Sequence, residues 1–385
     1  MTGLQTLTAA TIGGALIFGM TLALLGRLKL ALAQRVHLGE GQLRRLLLAL
    51  NIALIPLVLL SGILLDIYGA RLILVAGSAM LAVSLVGLSL RPTYPHAFAS
   101  ILLAGFGASA LGTACTVLMP HAFYSAEETS ASLNLGYVFI ALGALLTPVL
   151  ADILLAKIEL RRTLAVFSLL ALTPAFLGVL PSNEYWHIAD HPGNLSTFLA
   201  EPTGWLAALM LFFYAPLEAA ISLWTFTLLA ERDQDEREAT GLLSGFWAAF
   251  IASRLLVALA RHMDLLTEGW DTILIIVPPM LAAVLLGNLA GASPHARPRS
   301  GLILLGLLLG PVLPTLLGLV FRYVAPAEQG TAYGFAFAAG SLGSVLFAPL
   351  IDLRARPPLQ TALRLPIFLA VLVMVLALVL GLIMP

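Results

Sequence analysis

Four charged residues fall inside long apolar stretches of this sequence and are the groups best placed for chemistry there: Arg27, Lys29, Glu218 and Arg254. If these stretches cross a membrane, a charge near the centre costs at least about 2.5–3.5 kcal/mol, so each needs a partner or a function. Glu218 is the clearest case because no other charge lies near it in the sequence. It is either a proton carrier or ligand acceptor, or a structural carboxylate paired with Arg254 on the next stretch. Both interpretations remain open at the level of sequence.

Arg27 and Lys29 are two residues apart, so they cannot share one face of a helix. If Arg27 faces inward, its forked donors suit a carboxylate or phosphate group, which indicates an anionic or zwitterionic substrate. The alternative is that both residues only mark the membrane boundary.

Uncharged polar and aromatic side chains complete the candidate pocket. Sugars and amphiphiles bind through aromatic faces and a few convergent polar groups, whereas Trp and Tyr near the end of a span also serve as interface anchors. Tyr137 and Tyr214 lie deeper and are the stronger candidates. The predicted substrate-binding set is Arg27, Thr113, Thr116, Asn134, Tyr137, Tyr214, Glu218, Trp224, Trp247 and Tyr333. Pro278, Pro279, Pro311 and Pro314 are candidate hinges.

The overall composition excludes a soluble enzyme. The 385 residues are 60% hydrophobic and 10% charged, with a mean hydropathy of +1.00, whereas globular domains carry about 25% charged residues. Twenty basic residues balance twenty acidic ones, so no cationic field attracts nucleic acid. The single cysteine, Cys115, cannot form an internal disulfide, and no paired Cys/His spacing suggests a zinc site. We expect no metal, no cofactor and no enzymatic activity.

Apolar runs long enough to cross a bilayer recur twelve times. A helix needs roughly 20 apolar residues to cross a hydrocarbon core of about 30 Å. The predicted spans are 9–33, 43–66, 71–90, 96–120, 130–155, 163–181, 204–230, 239–260, 271–291, 301–323, 330–351 and 364–384. We expect the first run to be a retained span, because no basic residue precedes it and it is too long for a signal-peptide core.

The longest polar interruption follows the sixth span and divides the chain in two. It predicts an N-terminal six-helix bundle at 1–181, a central loop at 182–203 and a C-terminal six-helix bundle at 204–385. The halves are similar, since Gly143, Pro148 and Asp152 in the fifth span are echoed by Gly343, Pro349 and Asp352 in the eleventh. We expect an all-α membrane protein with twelve transmembrane helices in two pseudo-symmetric bundles, an architecture in which transporters bind substrate between the halves.

The turn between the second and third spans carries a recognisable motif. Gly62, Asp66, Gly69 and Arg71 stand at the spacing of the GxLxDxxGxR loop and resemble the signature of the major facilitator superfamily. Gly62 permits close helix approach, Asp66 is expected to accept hydrogen bonds from a neighbouring helix end, and Gly69 permits the tight reversal before Arg71. A plain two-helix turn also favours these residue types.

Within that superfamily the chain is most similar to the fucose-permease-like sugar branch. The similarity is carried by Leu133, Asn134 and Leu135, by Tyr214 to Glu218, by Phe246, Trp247, Ser253 and Arg254, and by Pro311 and Pro314. In that branch, carboxylates on the first and fourth helices are tied to proton coupling and sugar binding. The matching positions here are Gly26 and Gly112, neither of which titrates.

The resemblance implies a secondary active transporter, a symporter in the compared branch, that works by alternating access. We expect a monomer in the cytoplasmic (inner) membrane, surrounded by lipid, that moves a small polar or amphipathic organic solute, sugar-like or anionic, with a coupling proton or ion. Coupling or gating is expected at Glu218, Arg254, Gly62, Asp66, Gly69 and Arg71. The alternative is a membrane-embedded binding or assembly protein with a transporter fold and no coupled transport.

The distribution of basic residues conflicts with the orientation that the resemblance implies. With both termini and the central loop in the cytoplasm, the inner loops hold three basic residues, Arg71, Arg261 and Arg322, and the outer loops hold fourteen. Basic loops are expected on the cytoplasmic side. A miscounted span, an inverted insertion and a functionally basic outer face are the three explanations.

Overall fold

The computed structural model describes residues 3–36, 40–90, 93–124, 128–180, 186, 195–230, 236–267, 269–291, 299–351 and 359–383. These residues form helices without any strand. The α-helices are α1 (Gly3–Val36), α2 (Glu40–Tyr68), α3 (Ala70–Leu90), α4 (Tyr94–Ala122), α5 (Thr129–Lys157), α6 (Leu160–Ala171), α7 (Thr173–Val179), α8 (Leu195–Ala200), α9 (Pro202–Ala230), α10 (Glu236–His262), α11 (Trp270–Gly291), α12 (Arg299–Leu309), α13 (Val312–Tyr323), α14 (Gln329–Ile351) and α15 (Leu359–Ile383).

The expected number of spans is confirmed for the part of the chain that the structure describes. Twelve segments there are long and apolar enough to cross a membrane, from Gly3–Leu24 to Leu363–Ile383. The sixth span consists of α6 and α7, and the tenth of α12 and α13. Several helices exceed the predicted bounds; α2, for example, begins at Glu40 and includes Arg44 and Arg45. A helix that continues beyond the hydrocarbon core has no need of apolar residues there.

The candidate proline hinges differ in their effect on the helix that contains them. Pro278 and Pro279 do not interrupt α11, which is continuous from Trp270 to Gly291. The tenth span is broken between Leu309 and Val312, at Pro311. The helical ladder is therefore interrupted at the second site and not at the first, because packed membrane helices tolerate proline without a break.

The two six-helix halves repeat the same close helix contact. A Cβ atom on Gly143 of α5 would overlap the Leu16 carbonyl of α1, and one on Gly343 of α14 would overlap the Phe212 carbonyl of α9. The two glycines are 200 residues apart and their partners 196. This registration confirms that the glycine repeat seen in the sequence marks equivalent positions in related halves.

The halves meet along two seams. In the α2–α14 seam, α2 packs against α14; in the α5–α13 seam, α5 packs against α13 and also against α10. Each seam joins one helix of the first half to helices of the second. A solute held between the halves therefore lies between these seams, and separation of a seam would open one end of the bundle.

Candidate functional site

A cavity of about 580 Å³ lies between the halves, with walls from α2, α9, α10, α13 and α14. On α2 its lining runs from Leu48 to Leu54, which precede Asp66 by 12 to 18 residues. At 1.5 Å per residue this is about 18–27 Å along the helix. The cavity therefore lies in the part of the bundle remote from the turn between α2 and α3.

The polar groups of the cavity wall come from four helices. They are Asn51 of α2, Tyr214 and Glu218 of α9, Trp247 of α10, and Ser341 and Ser344 of α14. Tyr214, Glu218 and Trp247 were predicted from the sequence, whereas Asn51 and the two serines were not. An amide inside a predicted span is itself a signal for a functional site, so Asn51 was detectable.

The surroundings of Glu218 are compatible with both interpretations that its sequence context left open. Its half-buried side chain lines the cavity. It also lies close enough to Tyr214 for a side-chain hydrogen bond and to Arg254 for an electrostatic attraction. The cavity thus presents a carboxylate whose charge is balanced from behind the wall.

Arg254 lies behind that wall and is only 5% exposed. Its Nε donates to the Gly310 carbonyl at 2.8 Å, and its Nη1 donates to the Tyr137 carbonyl at 3.5 Å. The guanidinium carbon lies 4.3 Å from the centre of the Phe250 ring and 5.3 Å from that of Tyr137. Paired, stacked and buried in this way, the guanidinium is fixed in one position.

Several predicted binding residues lie in the closed interface instead of on the cavity wall. Asn134 Nδ2 donates to Thr315 Oγ1 across the α5–α13 seam at 3.1 Å. Thr116 and Tyr137 are buried in the same region. Tyr333 is buried with its ring stacked on Phe337, which lines the cavity, at 4.3 Å between centroids. These side chains are buried and are not among the described residues that line the cavity.

The remaining predicted binding residues are not among the described residues of the cavity wall. Thr113 is buried and donates to the Ser109 carbonyl within its own helix. The side chains of Arg27 and Trp224, like that of Lys29, lie outside the described residues.

The end of the α2–α14 seam is closed by Asp66. Its carboxylate accepts hydrogen bonds from the backbone N–H groups of Gly330 and Thr331 at 2.9 and 2.7 Å. These are the free donors at the start of α14, where the helix dipole also favours a negative charge. Nearby, a Cβ atom on Gly62 would overlap the Gly330 carbonyl. The expected local contacts of Asp66 and Gly62 are confirmed.

The other two signature residues shape the turn. Gly69 has a φ of +86°, a left-handed conformation that only glycine adopts easily. Arg71 donates to the carbonyls of Gly178, Val179 and Leu180 at 2.7–3.4 Å, which satisfies the free acceptors at the end of α7. The expected reversal at Gly69 is confirmed, and the partner of Arg71 was not predictable from the motif.

A buried ion cluster, missed by the sequence analysis, lies at the same end of the second half. The Asp271 carboxylate is fully buried and accepts hydrogen bonds from Arg261, at 2.8 Å, and from Arg322. Together with Arg71, all three basic residues assigned to inner loops are therefore held by the helix bundle.

A further contact across the halves lies beside this cluster. His262 Nδ1 of α10 lies 3.8 Å from Glu128 Oε2 at the start of α5, and its ring stacks on Tyr124 at 4.6 Å. Partial burial and the neighbouring Glu128 carboxylate raise the pKa of Tyr124 above its ordinary value, so its hydroxyl stays protonated at neutral pH.

Comparisons with known proteins agree with this architecture. A sequence model of the Major Facilitator Superfamily matches residues 9–348. The chain is 40% identical to an uncharacterised MFS-type transporter, YfkL of Bacillus subtilis (strain 168), over 99 residues, which are 25% of this chain and 24% of that protein. The match thus spans about a quarter of that relative's length.

Solved structures of similar fold cover nearly the whole chain. The E. coli fucose:proton symporter FucP has a TM-score of 0.77 at 16% identity, covering 97% of this chain and 98% of that one. The human organic anion transporter MFSD10 (TETRAN) has a TM-score of 0.74 at 16% identity, with 98% and 100% covered. The proton:xylose symporter XylE has a TM-score of 0.74 at 15% identity, with 99% and 96% covered. At these identities the likeness establishes the fold.

Proposed function

This chain belongs to the Major Facilitator Superfamily and is a multi-pass secondary transporter, not an enzyme; on that premise we propose that it moves a small polar or amphipathic organic solute by alternating access. The solute is sugar-like or anionic. It binds between the bundles 1–181 and 204–385, which rock about it and are joined by the loop 182–203. The protein acts as a monomer in the lipid of the cytoplasmic membrane.

The proposal is carried by one arrangement, in which a carboxylate-bearing cavity between the halves is combined with an inter-half contact that closes the bundle at one end. Glu218 lies in that cavity, and Asp66 closes the seam. Among the described residues the closure consists of hydrogen bonds, including the two backbone bonds that Asp66 accepts, and close packing, so it is reversible. A central cavity with a reversible seal is what alternating access requires.

The residues that line the cavity support a sugar-like or anionic solute. Trp247 and Tyr214 offer aromatic faces, while Glu218, Asn51 and the serines offer hydrogen-bonding groups. FucP and XylE are described as sugar symporters and MFSD10 as an organic anion transporter. An anionic solute would use Arg27 on α1. Thr113, Thr116, Asn134, Tyr137, Trp224 and Tyr333 are proposed to join the site when the halves reorient.

Coupling to a proton or ion is assigned to Glu218 with Arg254. Gly26 and Gly112 occupy the positions that hold carboxylates in the fucose-permease-like branch, and glycine does not titrate. Glu218 supplies the carboxyl group among the described residues of the cavity lining. When Glu218 releases its proton, the positive charge of Arg254 would stabilise the ionised carboxylate.

The test is solute counterflow into proteoliposomes, screened over sugars, polyols and organic anions. We expect at least one saturable solute, and a loss of about tenfold or more in Glu218→Gln, since a hydrogen bond to a charged group is worth about 1.5–3 kcal/mol. Asp152→Asn, which changes an exposed carboxylate of α5, is the matched control and leaves flux unchanged. Unchanged flux in both Glu218→Gln and Arg27→Ala would remove the proposed site.

The second candidate is a membrane-embedded binding or assembly protein that keeps the fold without transport. Gly26 and Gly112, in place of the branch's carboxylates, favour it. It predicts a ligand-induced rise in thermal stability that is lost in Glu218→Gln, together with no counterflow of the same ligand. Flux of that ligand would exclude it.

A further inference from the structure

The break in the tenth span leaves backbone carbonyls without partners inside their helix. α12 ends at Leu309 and α13 begins at Val312, with Pro311 between them. In a continuous helix the Gly310 carbonyl would bond to the N–H of residue 314, but Pro314 has none. No water reaches such groups in the hydrocarbon core, so other donors must satisfy them.

Two buried side chains supply those donors. The Tyr214 hydroxyl of α9 donates to the Leu309 carbonyl at 2.7 Å, and Arg254 Nε of α10 donates to the Gly310 carbonyl at 2.8 Å. Tyr214 is 1% exposed and Arg254 is 5% exposed. Two consecutive carbonyls at the break are thus held from two neighbouring helices, and both donors lie next to Glu218.

Beyond the break, α13 packs against the other half. Thr315, one turn into α13, accepts the hydrogen bond from Asn134 of α5. Further along, a Cβ atom on Gly318 would lie 2.8 Å from the Cα of Ser130. The orientation of α13 therefore determines how closely the α5–α13 seam can shut.

We propose that Tyr214 and Arg254 are positioning residues that hold α12 and α13 at the angle in which α13 closes on α5. They connect the cavity carboxylate Glu218 to the α5–α13 seam through the Leu309 and Gly310 carbonyls. A solute or proton that changes the attraction between Glu218 and Arg254 shifts the guanidinium, and with it the Gly310 carbonyl that holds α13 at this angle. This link rests on the transport function proposed above.

The test measures the conformation of the chain directly. Spin labels are attached to Tyr68→Cys at the end of α2 and Tyr323→Cys at the end of α13, both exposed, in a Cys115→Ser background. The labels report the distance between the halves at the Asp66 end in the full-length protein in liposomes. This readout needs no solute and no flux.

The decisive variant is Tyr214→Phe, which removes one hydroxyl. We expect the ratio of long to short distances to rise about three- to tenfold, which corresponds to the loss of one hydrogen bond. Ser168→Ala is the matched control, because it removes a buried hydroxyl that donates to the Ala82 carbonyl at 2.9 Å within the first half. Ser168→Ala should lower the stability of the protein about as much as Tyr214→Phe does and leave the distances between the spin labels unchanged.

A double-mutant cycle tests the role of Arg254 separately. Arg254→Lys keeps the charge and loses the forked donors, and should raise the long-distance fraction. Pro314→Ala restores an N–H that can bond to the Gly310 carbonyl, so Arg254→Lys should have a much smaller effect in that background.

The outcomes separate this link from transport itself. Wild-type distances in Tyr214→Phe, or full additivity of Arg254→Lys with Pro314→Ala, would overturn the positioning role even if wild-type counterflow is normal. Absence of counterflow in the wild type, with the expected distance changes, would instead overturn the proposed function.

Discussion

Asp66 shows how a single side chain can join the two halves at one end of the bundle. Its carboxylate receives two backbone N–H groups from α14, so it joins its own half to the opposite one. A charged acceptor at a helix N-terminus contributes both hydrogen bonding and a favourable interaction with the dipole. The seal therefore depends on the charge as well as on the shape of this residue.

Asp66→Asn should weaken the seal, because an amide accepts with one oxygen and carries no charge. We expect the alkylation rate of Ser61→Cys, a buried position beside Gly62, to rise about tenfold in a Cys115→Ser background. Asp152→Asn serves as control and should leave the rate unchanged. If Ser61→Cys is alkylated no faster in the Asp66→Asn protein than in the protein that keeps Asp66, then the carboxylate does not hold the seam.

Gly69 and Gly287 form a matched pair of glycines with no atom within 4 Å of an added Cβ. Gly69→Ala forces a left-handed conformation and should lower stability by about 1–2 kcal/mol. Gly287→Ala lies within α11 and should be neutral or raise stability by up to about 1 kcal/mol. Thermal unfolding of both variants in detergent compares them, and a similar shift in the two would refute the role of the positive φ.

Residue roles were predictable where the motif itself fixes the backbone. Gly69 needs its φ because of the local turn, so spacing was sufficient to identify it. Arg71 and Asp271 find their partners 107 and 51 residues away, at Gly178 and Arg322. Sequence spacing contains no information about contacts that only tertiary packing creates.

Helix contacts fall into two classes, those within a half and those between halves. Gly143 packs on α1 within the first half, whereas Gly62 packs on α14 of the second. Under the alternating access proposed above, a contact within a half would persist as the halves move, while a contact between halves would exist in one conformation. The same substitution should therefore have different effects at the two positions.

Gly143→Ala should lower the free energy of unfolding by about 1–3 kcal/mol, because the added methyl group overpacks the contact with α1. It should leave the Tyr68/Tyr323 label distances unchanged. Gly62→Ala should raise the long-distance fraction with little change in the unfolding temperature, because the chain escapes the overlap by opening. Label-distance and thermal measurements on both variants give the comparison. The reverse pattern would contradict the assignment of the seams.

The helices themselves were predictable because the bilayer requires each span to be long, apolar and internally hydrogen-bonded. Pro311 could be predicted as a possible site for a helix break, but the sequence could not show that the break occurs there and not in α11. Pro278 and Pro279 provide an equal local signal and α11 continues through them. In the tenth span the carbonyls at the break receive hydrogen bonds from Tyr214 and Arg254, and these donors come from other helices.

The whole molecule is a pair of related halves, and the glycine repeat indicated this from sequence. The division of predicted site residues between cavity wall and closed interface was not predictable, because it depends on the conformation. Tyr137 and Tyr333 are buried outside the cavity lining, while Tyr214 and Glu218 line the cavity. Residue type and depth in a span are the same in either state.

Orientation is a property of the whole chain, and the basic-residue count opposes the family's arrangement. We predict the family's arrangement, with the central loop in the cytoplasm, since the family match covers residues 9–348. In a Cys115→Ser background, Ala200→Cys should react with a membrane-impermeant thiol reagent only after permeabilisation. Arg161→Cys, at the opposite end and exposed, should react in intact cells. The opposite labelling pattern would establish an inverted insertion.

Rocking of the two halves about the central cavity is tested most directly by the Tyr68/Tyr323 label pair in liposomes. The predicted result is two distance populations, with the short one dominant in the wild type and the long one increased in Asp66→Asn. A single distance, unchanged by Asp66→Asn, would contradict alternating closure at this end of the bundle.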